Sequence, residues 1–347
     1  MLPVEDLKQI VQQTESVWEH LRRKRIFLSG GTGFVGSWLI ESFLYANKNF
    51  ALGAELLVLS RSPKAFFEKH PELKNEKSLV FVSGDVRNFE NPAGLVHFVI
   101  HAATDPSMAA SAENSLETME VIYLGTKRVL ELCQQKKIEK YLFVSSGAVY
   151  GKQPQTVSHL AEDFQGAPNL QKSSSAYGEG KRVGEWLSHL FGEAHGFEVK
   201  VARLFAFVGP YLPLEGHFAV GNFIRQAIAG QDIVVKSDGK SQRSYMYASD
   251  MTAWLWQILI HGKSKEAYNV GSEQAVSIRE LAQKIISIEN PKLKLEVLGK
   301  SVQEISGDRY IPSTQKVRND LKLNIQVDEN DALKKTILFY KNLAETK

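Results

Sequence analysis

Ile26-Phe27-Leu28-Ser29 runs directly into Gly30-Gly31-Thr32-Gly33-Phe34-Val35-Gly36, a short apolar strand followed by glycines three apart. The pattern predicts a strand, a tight turn and a helix whose N-terminus cradles the pyrophosphate of a dinucleotide. Such an anion needs backbone N–H donors at close range, and a side chain at Gly30 or Gly33 would hold it off. Phe34 and Val35 fall within the cradle, and Gly36 lets the helix from Ser37 to Tyr45 pack tightly on the sheet. Gly-rich turns after strands are common, so the rest of the chain has to decide the meaning of this one.

Downstream, strand-like runs alternate with segments of helix length: Glu55 to Ser60, Leu79 to Ser83, Val96 to His101, Tyr141 to Ser145 and Val199 to Phe205. Alternation of this kind predicts an α/β fold, a Rossmann-type doubly wound parallel sheet with a smaller mixed C-terminal substrate domain. Near Phe207 the pattern changes, with Gly209-Pro210-Tyr211-Leu212-Pro213 as a turn and helices from about Phe218 to Ala229 and Ser277 to Ile288. Residues 1–205 are therefore expected to bind the dinucleotide, with a return near 242–272. Residues 206–241 and 273–347 are expected to hold the substrate. An amphipathic helix over residues 4–22 precedes the first strand and is read as packing on the outside of the sheet.

The chain has 347 residues, a formal net charge of +3 and one cysteine, Cys133. That length exceeds a minimal nucleotide-binding unit. The weak charge and scattered basic residues give no reason to expect nucleic acid, and Arg22-Arg23-Lys24-Arg25 reads as a solvated junction. A lone cysteine excludes an intramolecular disulfide framework and fits a reducing compartment. No apolar run has the length of a membrane span, and the polar N-terminus is unlike a signal peptide. A cytoplasmic protein without a metal site is expected. Trp254 and Trp256 read as packing.

The second strand ends in Ser60-Arg61-Ser62-Pro63-Lys64 without the carboxylate that would bind the 2'-hydroxyl of NAD. Ser60 and Arg61 could instead pair a 2'-phosphate, which tilts the expected cofactor from NAD toward NADP. Asp85, beside Val86 after the third strand, can accept from an adenine amino group. His101-Ala102-Ala103 ends the fourth strand with small residues where backbone passes close to the cofactor, and His101 is not read as catalytic.

The fifth strand runs Phe143-Val144-Ser145-Ser146-Gly147-Ala148-Val149-Tyr150-Gly151, and Tyr177-Gly178-Glu179-Gly180-Lys181 lies beyond it. On a helix, Tyr177 and Lys181 share a face. Bringing a tyrosine from a pKa of ~10 toward neutrality takes roughly 4 kcal/mol, which a unit charge about 4 Å away supplies at an effective dielectric of ~20. Tyr177 and Lys181 thus read as cofactor contacts and as an acid/base pair, with Ser146 bonding the same substrate oxygen. Tyr123 and Lys127 repeat the spacing, but in a helix that precedes the serine strand.

With the glycine motif, Gly84-Asp85, Arg203-Leu204-Phe205 before Gly209-Pro210, and Arg243-Ser244-Tyr245 before Tyr247 and Asp250, the chain resembles the extended short-chain dehydrogenase/reductase family. The likeness is to its NAD-dependent epimerase/dehydratase group, from Ile26 to about Leu333. The resemblance implies a nucleotide-diphosphate sugar as substrate, Ser146 rather than Ser145 as its contact, and Asn222 and Arg243 on the diphosphate. It also implies a homodimer through helices near 108–134 and 176–193, using Met108, Met119, Leu130, Trp186 and Leu190.

Members that dehydrate a sugar carry an Asp-Glu pair where this chain has Gly147 and Ala148, which disfavours a 4,6-dehydratase. Ala206 and Ile122 stand where the family has asparagines, which puts the phosphate contacts and any asparagine-linked proton relay in question. An epimerase or a ketoreductase acting at a sugar carbon, most often C4, is expected. A non-catalytic dinucleotide-binding regulator is the competing reading, and retention of Ser146, Tyr177 and Lys181 together argues against it.

Overall fold

The computed structural model describes residues 1–104, 114–216, 218–299 and 308–345. Seven strands form its central sheet: β1 (Arg25–Ser29), β2 (Glu55–Ser60), β3 (Leu79–Ser83), β4 (Phe98–His101), β5 (Lys140–Ser146), β6 (Glu198–Leu204) and β7 (Glu266–Val270). They lie in the order β3-β2-β1-β4-β5-β6-β7, and every adjacent pair is parallel. The longer helices are α1 (Val4–Gln13), α2 (Phe34–Asn49), α3 (Ser115–Lys136), α4 (Ala176–His195), α5 (Ala219–Ile228), α6 (Ala248–His261), α7 (Ile278–Glu289) and α8 (Glu329–Glu345).

The strands are apolar on both faces because helices cover both. Ile26, Leu28, Leu56, Val58, Ile100 and Leu142 point into one core, and Phe27, Leu57, Val99, Tyr141 and Phe143 into the other. Chain order reverses at β1, which has β2 on one side and β4 on the other, so the crevice beyond their carboxyl ends is where ligands bind in open sheets of this kind.

The first core extends through α2 and α6. Trp254 and Trp256 are fully buried, as their packing role requires, and Trp256 donates to Ser42 Oγ at 2.9 Å. The N-terminal helix α1 packs on α2 and α6. Its buried Asp6 accepts from the Tyr247 hydroxyl at 2.7 Å and pairs with Lys335 of α8. Gln13 donates to Asp250 at 3.1 Å, and the other Asp250 oxygen accepts the backbone N–H groups of Gln326 and Val327 at 3.0 Å each. The basic run before β1 is neutralised locally, Arg22 by Glu19, Lys24 by Glu139 and Arg25 by Glu55. Cys133 is a buried member of the second core, and burial pushes its thiol well above the usual range.

Beyond β6 the chain builds short pairings. Ala206–Val208 pairs with Tyr245–Tyr247, and Ile233–Val235 with Leu295–Val297. Gln242–Arg243 lies between Val276–Ser277 and Arg309–Tyr310. Gln242 and Arg243 therefore belong to a small outer sheet and Tyr245–Tyr247 to a two-stranded one, and the following helix α6 packs on β5 and β6 of the main sheet. The seventh main strand, with its mixed sequence Glu-Ala-Tyr-Asn-Val, was not among the expected strands.

Candidate active site

The glycine turn is fixed by backbone contact. Gly30 has φ +76°, and a Cβ there would lie 2.5 Å from the carbonyl of Ala102. A Cβ at Gly36 would lie 2.3 Å from the carbonyl oxygen of Gly30. These two glycines let the turn, β4 and α2 close on one another. Gly33 differs: a Cβ there would meet only the Gly30 carbonyl oxygen, at 3.5 Å, and would otherwise project into open space at the start of α2. No side chain caps α2. Free N–H groups at a helix N-terminus facing a glycine-walled space fit a dinucleotide pyrophosphate. Of the two glycines expected to clear room for it, Gly33 borders this open space, whereas a Cβ at Gly30 would strike Ala102.

Around this cradle, Ser60 is buried and its Oγ accepts the Ser62 N–H at 3.1 Å, while Arg61 is exposed. Asp85 holds Arg87 in a two-pronged pair, with Nε to Oδ1 2.8 Å and Nη2 to Oδ2 3.0 Å, and the Arg87 guanidinium holds its carboxyl below the usual range. Val86 packs on Gly125, whose Cβ would lie 2.9 Å from it. His101 is turned inward. Its Nδ1 lies 2.6 Å from Ser29 Oγ, its Nε2 lies 3.1 Å from Thr126 Oγ1, and burial drops its pKa to about 3. It is a neutral brace between β1, β4 and α3, so its imidazole offers no free nitrogen to a cofactor. Ala102 and Ala103 border the crevice.

The chemical centre lies at the end of β5 and the start of α4. Ser146 pairs in register with Leu204, and its Oγ accepts the Ala148 N–H at 3.1 Å. Lys181 is buried, donates to the Val144 carbonyl at 2.8 Å and to Thr104 Oγ1 at 2.9 Å, and stands 5.0 Å from the centroid of Phe143. Its Nζ is 5.9 Å from the centroid of the Tyr177 ring, so the i, i+4 pair does share a face. By contrast, Tyr123 of the competing pair is 39% exposed on α3.

A fully charged ammonium was the expectation, but burial lowers Lys181 to about 7, partly offset by Glu185. Glu185, one further turn along α4, accepts from Ser145 Oγ at 2.5 Å and from Arg203 Nη2 at 2.7 Å. Arg203 also donates to the Tyr150 hydroxyl at 2.9 Å, which in turn donates to Asn269 Oδ1 at 2.8 Å. This network holds Ser145 away from the crevice and leaves Ser146 as the edge serine.

The other two expected substrate residues lie on separate elements. Arg243 lies in the small sheet, its Nη1 donating to the carbonyls of Gln242 and Asp308, with its guanidinium 5.9 Å from the centroid of Tyr310. Asn222 gives its amide to the carbonyls of Gly216 and Phe218 at 2.8 and 3.1 Å. Thr104 and Tyr310 could not be picked out from the sequence, because neither lies in a recognisable spacing with its partners, whereas Glu185 continues the four-residue spacing of Tyr177 and Lys181, a signal that could have found it. Met108, expected at an interface, lies outside the described residues.

The strand order, the glycine turn and the Ser146-Tyr177-Lys181 cluster define a short-chain dehydrogenase-type Rossmann protein. The model of the NAD dependent epimerase/dehydratase family matches residues 26–271, and the chain belongs to that family. It is 29% identical over 275 residues to UDP-glucuronic acid decarboxylase 5 of Arabidopsis thaliana, covering 79% of this chain and 77% of that protein. It is 27% identical over 330 residues to UDP-N-acetyl-alpha-D-glucosaminuronate decarboxylase of Bacillus cytotoxicus, covering 92% and 99%. Decarboxylation was not among the expected reactions. In fold it is similar to the crystal structure of UDP-glucose 4-epimerase from Thermotoga maritima, with a TM-score of 0.78 at 20% identity over 92% of this chain and 99% of that one.

The buried lysine gives a measurable signature. Unfolded, it releases its proton near the ordinary 10.5, and folded without ligand, near 7. Between these values the unfolded chain holds the extra proton, so Lys181 makes stability rise with pH across that window. The Tm of the cofactor-free protein is expected to climb more steeply from about pH 7 to 10 than that of Lys181→Met. Equal slopes would contradict a buried, depressed lysine.

Proposed function

We propose that this chain is an NAD(P)-dependent enzyme that oxidises or reduces one carbon, C4, of a nucleotide-diphosphate sugar, with Tyr177 as acid/base. The observation that carries the reading is the buried Lys181 one turn from Tyr177, on a helix that starts beside the Ser146 strand edge. When bound, the nicotinamide supplies the hydride acceptor or donor. Tyr177 takes the proton of the sugar hydroxyl or returns it to the carbonyl oxygen, and Ser146 hydrogen-bonds that oxygen. Lys181 stabilises the phenolate, and Arg243 and Asn222 are assigned to the diphosphate.

If the keto sugar turns over before reduction the outcome is epimerisation, and if reduced cofactor arrives from solution it is ketoreduction. A second reading, decarboxylation, is favoured by the names of the sequence relatives. A sugar acid oxidised at C4 is a β-keto acid, which loses carbon dioxide without a dedicated base. Dehydration does need one carboxyl as acid and another as base, and Gly147 and Ala148 provide neither. Arg61 is assigned to the 2'-phosphate of NADP. Two copies are proposed to associate through α3 and α4, where the expected Trp186 and Leu190 are exposed, as are Leu116, Tyr123 and Leu124, whereas Leu130, expected there, is buried in the second core. No helix among the described residues is long and apolar enough to cross a membrane, and the buried thiol fits a reducing, cytoplasmic setting.

Tyr177→Phe is expected to lower turnover of UDP-glucose or UDP-glucuronate about 10²- to 10⁴-fold while cofactor affinity is kept. Unchanged turnover would sink the assignment. With UDP-glucuronate, released carbon dioxide identifies a decarboxylase and a carbon-balanced epimer an epimerase. Arg61→Ala is expected to weaken NADPH binding about tenfold, the scale of one charge-assisted pair, without affecting NADH. Equal loss for both, read by fluorescence titration, would overturn the NADP assignment.

A further inference from the structure

Lys181 is held from two strands at once. Its Nζ donates to the Val144 carbonyl of β5 at 2.8 Å and to Thr104 Oγ1, just beyond the end of β4, at 2.9 Å. The threonine is itself fixed. Its backbone N–H donates to the Ala102 carbonyl at 3.0 Å, and its hydroxyl proton goes to the Ala103 carbonyl at 2.7 Å. With that proton committed, the Thr104 oxygen meets Lys181 as an acceptor only. Ala102 in turn donates to the Ser29 carbonyl at 3.1 Å and stands against Gly30. A continuous run of bonded backbone therefore joins the glycine turn to the ammonium.

Val144 alone would leave the ammonium free to turn about one hydrogen bond. An ammonium carries three protons in tetrahedral directions, so a second fixed acceptor also settles where the third proton points. Among the described residues no carboxylate pairs directly with Lys181, so these two oxygens share the bonding of its charge. We propose that Thr104 is a positioning residue for the reaction, whose hydroxyl oxygen fixes the direction of the Lys181 ammonium beside Tyr177. The proposal rests on the reading of Tyr177 and Lys181 as the acid/base pair.

The test compares Thr104→Val, which keeps the branched shape and removes the acceptor, with Thr104→Ser, which keeps the acceptor. In turnover of UDP-glucose or UDP-glucuronate, Thr104→Val should lower kcat about tenfold with KM for the sugar held within about twofold, and Thr104→Ser should stay within about threefold of the native kcat. The second readout is urea unfolding without ligand at about pH 6, where the folded Lys181, at about 7, still holds its proton. There Thr104→Val should lower the unfolding midpoint, and in a Lys181→Met background it should lower it clearly less. An unchanged kcat in Thr104→Val, a Thr104→Ser as slow as Thr104→Val, or an equal midpoint loss in both backgrounds would each overturn the proposal. Non-additive unfolding in a native chain that turns over neither sugar would support the Thr104–Lys181 bond and defeat the enzymatic reading instead.

Discussion

The crevice depends on a backbone contact that leaves no room for a Cβ, where Gly30 meets the carbonyl of Ala102 at the ends of β1 and β4. These neighbouring strands sit where chain order reverses, so their helices leave in opposite directions and open the space between them. His101 secures the junction from below by bridging Ser29 and Thr126 as a neutral ring. A charged imidazole there would cost far more than its two hydrogen bonds return. The cradle is thus held by packing and neutral bonds, which leaves the N–H groups of α2 for an anion.

The second organising element is a line of polar residues four apart on α4: Tyr177, Lys181, Glu185 and His189. Buried charges are costly unless paired and fully bonded. Arg203 of β6 meets this requirement for Glu185, with side chains only 16% and 10% exposed. Lys181 has a carbonyl, a hydroxyl and an aromatic face but no carboxylate in direct contact, and its proton is correspondingly labile. That lability suits the role proposed for Lys181 beside Tyr177.

What could be read in the sequence was local. The Ile26 to Gly36 stretch carries its strand, turn and helix in consecutive residues, and Tyr177 and Lys181 are one helical turn apart. Burial is a tertiary property, so the depressed pKa of Lys181 and the inward turn of His101 could not be read from spacing. Glu266–Val270 lacked the continuous apolar run of a central strand because it is an edge strand, paired only with β6. Tyr310 was invisible for a related reason. Its neighbours Gly147 and Phe205 are brought to it by a two-residue strand pairing, which leaves no periodic trace.

The joining of Asp6 to Lys335, and of Gln13 and Val327 through Asp250, has a consequence for how the chain reaches this state. Contacts spanning more than three hundred residues carry a large loop-closure cost and form late. Helix α1 is made before α8, so Asp6 waits for Lys335 to emerge before the two can pair. During synthesis the apolar face of that helix has only α2 and, later, α6 to rest on. The second turn of α8, through Lys335, thus acts as the clasp on α1.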